Sequence, residues 1–386
     1  MRQENIMYKK EFSSQALYIH IPFCKAKCPY CGFYSKQYDE GLADDYLKAI
    51  GKEIDALEGK FPTAYIGGGT PTVLGPQQIK FLLKKIQKKI QNNSEFSIEA
   101  NPESLNAEKI DIMLEHGITR LSIGIQSFND NKLRQLSRVH NAQKARDSIW
   151  LAYKKGFKNI NIDMIFGLWD ETINDCENEI KKFVEFPVKH ISCYGLTYEK
   201  NTPFNNLIKK KKIKPLDNEI EAKMYKIIVR EFEKNNFKRY EVSNFSVPGS
   251  ECRHNINYWQ NNEYVGLGPS AVSYIEGRRF ENTHSINEYI EAVKGEKPHI
   301  LKSEKLSKLR RAGETAAVKI RMTEGINFDW FKNKTGFDLL KIKGEQIDNL
   351  IRKGFLRYCK KNNRVLGISL TKKGFLFCDI VSSELL

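Results

Sequence analysis

The chain has 386 residues, of which 40% are hydrophobic and 28% are charged. This composition excludes an intrinsically disordered protein and is sufficient for two or three domains with a large core. Lys and Arg outnumber Asp and Glu by 63 to 47, so the net charge is +16. Such a charge suits an acidic ligand, an anionic membrane surface or a nucleic acid, but it also fits ordinary lysine-rich surfaces.

Whether the cysteines are reduced or form disulfides depends on the cellular compartment of the protein. Residues 1–15 lack the apolar core of a signal peptide, and no apolar run reaches the ~18 residues of a membrane-spanning helix. We therefore expect a cytoplasmic protein with reduced thiols. Three of the eight cysteines cluster with the spacing C-x3-C-x2-C, namely Cys24, Cys28 and Cys31. The other five are scattered and are interpreted as small core residues.

A strand–helix pattern repeats from residue 16 to residue 198. Six short apolar or alternating runs predict strands at 16–21, 63–67, 95–100, 120–126, 160–166 and 190–196. Amphipathic stretches separate them; Asn106 and Asn141 are predicted to cap two of these helices, and Gly117 and Gly156 are predicted to end them. Strands that alternate with helices in this way indicate a parallel α/β architecture.

Polar and glycine-rich residues follow the predicted strands. The cysteine loop follows the first strand, and "GGGTPT" follows the second. Glu99, Gln126 and Asp163 stand at or near the ends of the third, fourth and fifth. Because ligands of parallel α/β proteins bind at the carboxyl ends of the strands, we expect these residues to share one site.

The pattern changes after about residue 205. We predict a barrel over 1–205, a connecting segment over 206–302 and a helical, winged-helix-like domain over 303–386. Ser303 is predicted to cap a helix that runs to Met322, and a hairpin is predicted to turn at 361–363. A winged helix can bind DNA, but we favour a role in packing or partner binding.

Three clustered cysteines are one ligand short for a structural zinc site, which takes four. No second C-x2-C is present, and His20 is the remaining candidate for a fourth ligand. An iron–sulfur cube behaves differently, because three thiolates leave its fourth iron open. An amino acid can fill that position with its amine and carboxylate.

The motif C-x3-C-x2-C at the end of a first barrel strand resembles the radical S-adenosylmethionine (SAM) superfamily. The resemblance implies an α/β fold with a partial (β/α)6 barrel, a 4Fe–4S cluster on Cys24, Cys28 and Cys31, and SAM on the open iron. It also implies that the reduced cluster cleaves SAM to methionine and a 5′-deoxyadenosyl radical. Matching motifs and rim positions assign the SAM contacts to Tyr18, Tyr30, Gly67, Gly68, Gly69, Thr70, Glu99, Gln126, Arg138 and Asp163.

Longer motifs, among them "LYIHIPFCKAKCPYC" and "SIGIQSFND", resemble the subgroup of oxygen-independent coproporphyrinogen III oxidases and radical SAM haem chaperones. The oxidases carry a further cysteine where this chain has Phe33, and a longer segment than the 23 residues that precede Cys24 here. "HNINYW" matches the H-N-x-x-Y-W motif of the chaperones. His254 is then the expected axial ligand of haem iron, with Tyr258 and Trp259 as flat contacts; Cys252 remains an alternative ligand.

The resemblance therefore favours a haem chaperone that delivers haem to acceptor proteins, membrane respiratory enzymes among them. Its expected cofactors are a 4Fe–4S cluster, SAM and haem, and no catalytic side chain is assigned. Two alternatives stay open: a coproporphyrinogen III oxidase, and a radical SAM enzyme that modifies RNA or protein. We expect no nucleic-acid partner, and leave a homodimer and peripheral membrane association open.

Overall fold

The computed structural model describes residues 16–386. The predictions made from residues 1–15, that the chain lacks a signal peptide and has a short segment before the cluster loop, lie outside the described residues. The strands are β1 Ala16–Ile21, β2 Phe23–Cys24, β3 Lys36–Gln37, β4 Phe61–Gly68, β5 Ile90–Ala100, β6 Arg120–Gln126, β7 Ile160–Phe166, β8 His190–Gly195, β9 Lys238–Arg239, β10 Asn244–Ser246, β11 Tyr264–Leu267, β12 Val272–Ile275, β13 Arg278–Asn282, β14 Ile300–Lys305, β15 Ile326–Asn327, β16 Leu356–Lys361 and β17 Arg364–Leu370. The α-helices are α1 Glu40–Ala56, α2 Pro76–Gln87, α3 Ala107–Glu115, α4 Asp130–Gln135, α5 Ala142–Lys155, α6 Ile173–Phe183, α7 Pro203–Lys209, α8 Asn218–Lys234, α9 Arg253–Trp259, α10 Ile286–Lys294, α11 Lys308–Lys319, α12 Phe328–Thr335, α13 Leu339–Arg352, α14 Lys372–Leu376 and α15 Cys378–Leu385.

A mostly parallel sheet forms the centre of the molecule. Strands β1, β4, β5, β6, β7 and β8 pair in that order, each parallel to the next. The predicted six-stranded parallel architecture is confirmed, and β1, β6 and β7 begin and end at the predicted residues. Parallel pairing brings the carboxyl ends of all six strands to one rim.

The segment 206–302 adds strands to both edges of this sheet. At one edge β11 pairs in parallel with β1, and β12, β13 and β14 continue in antiparallel fashion. At the other edge β10 pairs with β8, and β9 follows. The segment predicted as a connection is thus hydrogen-bonded into the sheet, and the division of the chain into three domains stays a prediction.

Successive side chains of β1 point alternately to the hydrophobic core and to the opposite face of the sheet. Leu17, Ile19 and Ile21 are fully buried in the main hydrophobic core. Tyr18 and His20 point to the opposite face, because successive side chains of a strand alternate. The polar side chains of the neighbouring strands line that inner face.

The predicted helix caps are confirmed. The Asn106 and Asn141 side chains accept hydrogen bonds from the backbone N–H groups of Lys109 and Lys144. Gly156 ends α5 with φ +118°, a left-handed conformation that favours glycine. None of the helices within residues 16–386 is long and apolar enough to cross a membrane.

The C-terminal region is helical and has a hydrophobic core of its own around a three-stranded sheet. The predicted hairpin is confirmed, since Asn362 and Asn363 turn with φ of +48° and +60° between β16 and β17. The prediction that Ser303 caps a helix is wrong. Ser303 lies in β14, opposite Phe280, and Ser307 caps α11 instead. Because β14 pairs with β13 at the edge of the sheet, Ser303 belongs to the strand, and α11 begins only at Lys308.

Candidate cofactor site

A cavity of about 1200 Å³ opens at the carboxyl ends of the parallel strands. All three clustered cysteines line it. Eight of the ten predicted SAM contacts line it as well: Tyr30, Gly68, Gly69, Thr70, Glu99, Gln126, Arg138 and Asp163. The structure therefore brings together residues that are spread over 140 positions of the sequence, from 24 to 163. Of the remaining two, Gly67 packs closely against the Tyr65 and Glu99 side chains, and Tyr18 lines a smaller, neighbouring cavity.

The cysteine loop is tied to the second strand. The backbone N–H of Thr70 donates to the carbonyl of Phe23 at 2.7 Å, and its hydroxyl donates to Sγ of Cys24 at 3.5 Å. Burial raises the pKa of the Cys24 and Cys31 thiols, which favours their protonated form. Iron binding would reverse this by replacing the proton.

Three thiols match a 4Fe–4S cluster whose fourth iron takes its ligand from elsewhere. Within residues 16–386, no three His, Cys, Asp or Glu side chains are grouped to hold a single ion. A cluster instead spreads its thiolates over separate irons. His20 is also unsuited to be a fourth ligand, because Tyr18 and the carbonyl of Tyr34 already occupy its two ring nitrogens at 3.1 and 2.9 Å.

The glycines of "GGGTPT" are required by close packing. A Cβ on Gly69 would lie 2.5 Å from the carbonyl oxygen of Phe23, and one on Gly68 would lie 2.5 Å from the His20 ring. Gly68 also has φ +108°. Any larger residue would push β4 away from the cysteine loop, and both Gly68 and Gly69 line the cavity.

Arg138 connects the cysteine loop to two strand ends. One guanidinium nitrogen lies 3.4 Å from both Sγ of Cys28 and the hydroxyl of Tyr30. The other donates to Oδ1 of Asn101 at 2.6 Å and to the carbonyl of Gly124 at 2.8 Å. The planar fork of arginine suits such a four-way contact, and lysine cannot reproduce it.

Two carboxyl groups face the cavity in a poorly solvated setting. Glu99 accepts from the Tyr65 hydroxyl at 2.8 Å and from the Gly68 N–H at 3.1 Å, yet burial raises its pKa to about 7. Burial also raises the pKa of Asp163, whose Oδ1 accepts from Asn161 at 2.8 Å. A cationic ligand in the cavity would favour the ionised form of both groups.

Two further residues of the site, Asn101 and Asn161, were not predicted from the sequence. Asn101 directly follows β5 and holds Arg138 and the Thr70 hydroxyl together. Asn161 lies two positions before Asp163 in β7 and bonds to His190 as well. The two-residue period of a strand was the available signal, since polar residues at alternate positions of a buried strand share its inner face.

Of the three predicted haem residues, His254 and Tyr258 are in contact with each other, whereas Trp259 lies apart from them. His254 is buried beside β4, where its ring nitrogens are hydrogen-bonded to Thr63 at 3.1 Å and to the Tyr258 hydroxyl at 3.0 Å. Tyr258 lines the smaller cavity, whereas Trp259 packs under the guanidinium of Arg321. Consecutive side chains of a helix point about 100° apart, and α9 separates these two accordingly.

Cys252, the alternative iron ligand, lies at the wall of the larger cavity. Its thiol contacts Oε1 of Glu95 at 3.4 Å, and burial raises its pKa to about 12. Burial likewise lowers the pKa of His254 to about 3, which keeps its imidazole neutral.

Comparison with known proteins identifies the family. The model of the radical SAM superfamily matches residues 18–183. The haem chaperone HemW of Lactococcus lactis is 35% identical over 361 residues, 93% of each chain. HemW of Bacillus subtilis is 34% identical over 370 residues, 94% of this chain and 96% of its own. The chain belongs to the HemW family.

A solved structure agrees on the fold of this HemW-family chain. Coproporphyrinogen III oxidase (HemN) from Escherichia coli, a radical SAM enzyme, superimposes with a TM-score of 0.83 over 97% of this chain and 90% of its own. The sequences are 21% identical, so this likeness concerns the fold alone. Membership of the radical SAM superfamily implies a 4Fe–4S cluster and SAM, and the resemblance predicted from the motifs is confirmed.

Proposed function

We propose that this HemW-family chain is a haem chaperone, which binds haem on a radical SAM scaffold and delivers it to acceptor proteins. One observation carries the proposal: the chain matches proteins named as haem chaperones at 34–35% identity over nearly its full length. Membrane respiratory enzymes are the proposed acceptors. Peripheral membrane association is part of the proposal, and the net charge of +16 supports it.

In this proposal Cys24, Cys28 and Cys31 hold the 4Fe–4S cluster. Their common position on the cavity wall supports the assignment. When bound, the cluster and SAM supply one-electron chemistry that can cleave SAM. The chain's own residues fix the cysteine loop through Arg138 and Thr70.

The same cavity is the proposed SAM site. Glu99 and Asp163 offer carboxylates to the ammonium or ribose groups of SAM, and Gln126 offers both a donor and an acceptor. Gly68 and Gly69 line the cavity without side chains, so the methionine portion of SAM can approach the chain closely there. Residues on four strand ends would thus meet one ligand.

The segment 254–259 remains the predicted haem contact, but its parts differ in access. Tyr258 faces a cavity, which supports a contact with a flat ligand. Ligation of iron by His254 would require the loss of its hydrogen bond to Thr63 or to Tyr258. Trp259 would contact haem only from the side of Arg321.

The oxidase is the second candidate, because the fold superimposes on HemN. Against it stands Phe33, 68% exposed at the position where the oxidases carry a further cysteine. The modifying-enzyme alternative rests on the charge of +16 alone.

A single-turnover assay separates the two candidates. The reconstituted protein is mixed under anaerobic conditions with reductant, SAM and coproporphyrinogen III, and the porphyrins are quantified. We expect no protoporphyrinogen IX. Its stoichiometric formation would establish the oxidase and contradict the chaperone.

A further inference from the structure

A second cavity, of about 410 Å³, lies beside β1 and next to the cysteine loop. Its wall is strongly aromatic, with Tyr18, Phe33, Tyr34, Tyr258 and Tyr264. The volume falls within the range of roughly 300–1,000 Å³ that small-molecule pockets occupy. Flat rings on several sides suit a flat, largely apolar ligand.

This aromatic cavity adjoins the cofactor cavity. Gly32 and Phe33, which follow Cys31 directly, line both. The Phe33 side chain is 68% exposed, an unusual state for a large apolar group. A ligand in the aromatic cavity would cover Phe33 and lie next to the cysteine loop.

One histidine reaches this cavity from solvent. All seven histidines lie in the described part of the chain, and six have buried side chains: His20, His116, His140, His190, His254 and His299. Two of the seven line the aromatic cavity: His20, whose ring nitrogens are both hydrogen-bonded, and His284, whose side chain is 54% exposed.

The imidazole of His284 is held in an orientation suited to a metal ligand. Its Nδ1 is hydrogen-bonded to Oγ of Ser270 at 2.8 Å. Histidines that bind metals commonly donate from one ring nitrogen to such a partner and present the other. Nε2 is 3.4 Å from Oε1 of Glu281, a long contact at an exposed position.

We propose that haem binds in the aromatic cavity, with Nε2 of His284 as the axial ligand of its iron and Phe33 against the porphyrin ring. The proposal rests on the proposed function and names its haem site. It differs from ligation by His254, whose two nitrogens are both hydrogen-bonded inside the protein. An open site with one accessible ligand also suits a protein that must release haem to an acceptor.

The test compares ferric haem with iron-free protoporphyrin IX on the full-length, cluster-reconstituted protein. His284→Ala should weaken ferric haem at least about tenfold and change its Soret band, but leave protoporphyrin within about twofold, because only iron needs the ligand. Added imidazole should restore the Soret band. Phe33→Ala should weaken both porphyrins, because it removes a ring contact that does not depend on iron.

His254→Gln is the contrasting variant, since glutamine can keep one of the buried hydrogen bonds. It should leave the Soret band unchanged, with circular dichroism to verify the fold. A changed spectrum in His254→Gln together with an unchanged one in His284→Ala would overturn the assignment, as would two unchanged spectra. If the wild-type protein binds neither porphyrin, the proposed function itself fails.

Discussion

The guanidinium of Arg138 lies 3.4 Å from the sulfur of Cys28, although the two residues are 110 positions apart. The same side chain is bound to Asn101 and to the carbonyl of Gly124, at the ends of β5 and β6. The cysteine loop is therefore positioned by the rim of the barrel. A hydrogen bond to a cluster sulfur also influences the reduction potential.

Arg138→Lys tests this link. The variant keeps the positive charge but loses the planar guanidinium group. The carbonyl of Gly124 or the side-chain amide of Asn101 therefore loses a hydrogen-bond donor. We expect the unfolding free energy to fall by about 1–3 kcal/mol. The reduction potential of the reconstituted cluster should become more negative, because a donor to a cluster thiolate is lost.

Arg134→Lys, an exposed change on α4, is the matched control. It should alter neither stability nor potential. A potential in Arg138→Lys equal to that of the wild type would show that the contact with Cys28 has no electronic effect.

The second prediction concerns the three clustered cysteines. Replacing Cys24, Cys28 and Cys31 by alanine should abolish the iron, sulfide and visible absorbance of the reconstituted protein, because no thiolates remain to hold the irons. Cys359→Ala, in β16, should leave all three unchanged. Full iron and sulfide content in the triple variant would exclude these residues as the cluster ligands.

The third prediction concerns pH and Glu99 in the cofactor-free protein. Its pKa is about 7 in the folded state, against an ordinary 4.5. Between these values the folded chain keeps a proton that the unfolded chain has released, so stability falls as pH rises. The loss begins near pH 4.5, is complete above about pH 7, and amounts to at most about 3 kcal/mol.

Glu99→Gln should remove this part of the pH dependence, as measured by denaturant unfolding at several pH values. Glu108→Gln, exposed on α3, is the control and should keep it. A wild-type slope that survives in Glu99→Gln would assign the pH dependence to another group.

The sequence predicts local features well, because local interactions determine them. Alternation of apolar residues was sufficient for β6 and β7, and the spacing of the cysteines placed all three in one loop. The link from Arg138 to Cys28 could not be predicted, since it depends on the pairing of distant strands that brings their ends to one rim. Tyr18, a predicted SAM contact, lines the other cavity together with Tyr264 of β11, a strand some 250 positions later that pairs with β1.

The fourth prediction follows from the corrected helix start. Ser307→Ala removes the side-chain acceptor for the N–H of Arg310 and should cost about 0.5–2 kcal/mol of stability. Ser303→Ala, exposed in β14, should cost much less. Equal losses in thermal or denaturant unfolding would show that the cap contributes nothing.

The fifth prediction concerns Asp163. Asp163→Asn removes a charged acceptor from the cavity, so SAM should bind at least about tenfold more weakly. The measurement is a titration of SAM against the electron paramagnetic resonance spectrum of the reduced cluster. Asp147→Asn, exposed on α5, is the control. An unchanged titration in Asp163→Asn would remove this carboxylate from the SAM site.

A haem chaperone of the HemW family must carry haem beside an intact cluster. The most direct measurement is a titration of ferric haem into the reconstituted full-length protein under anaerobic conditions, followed by the Soret band and by iron and sulfide content. We expect saturation at one haem per chain with the cluster retained. An intact cluster without a saturable Soret change would contradict it.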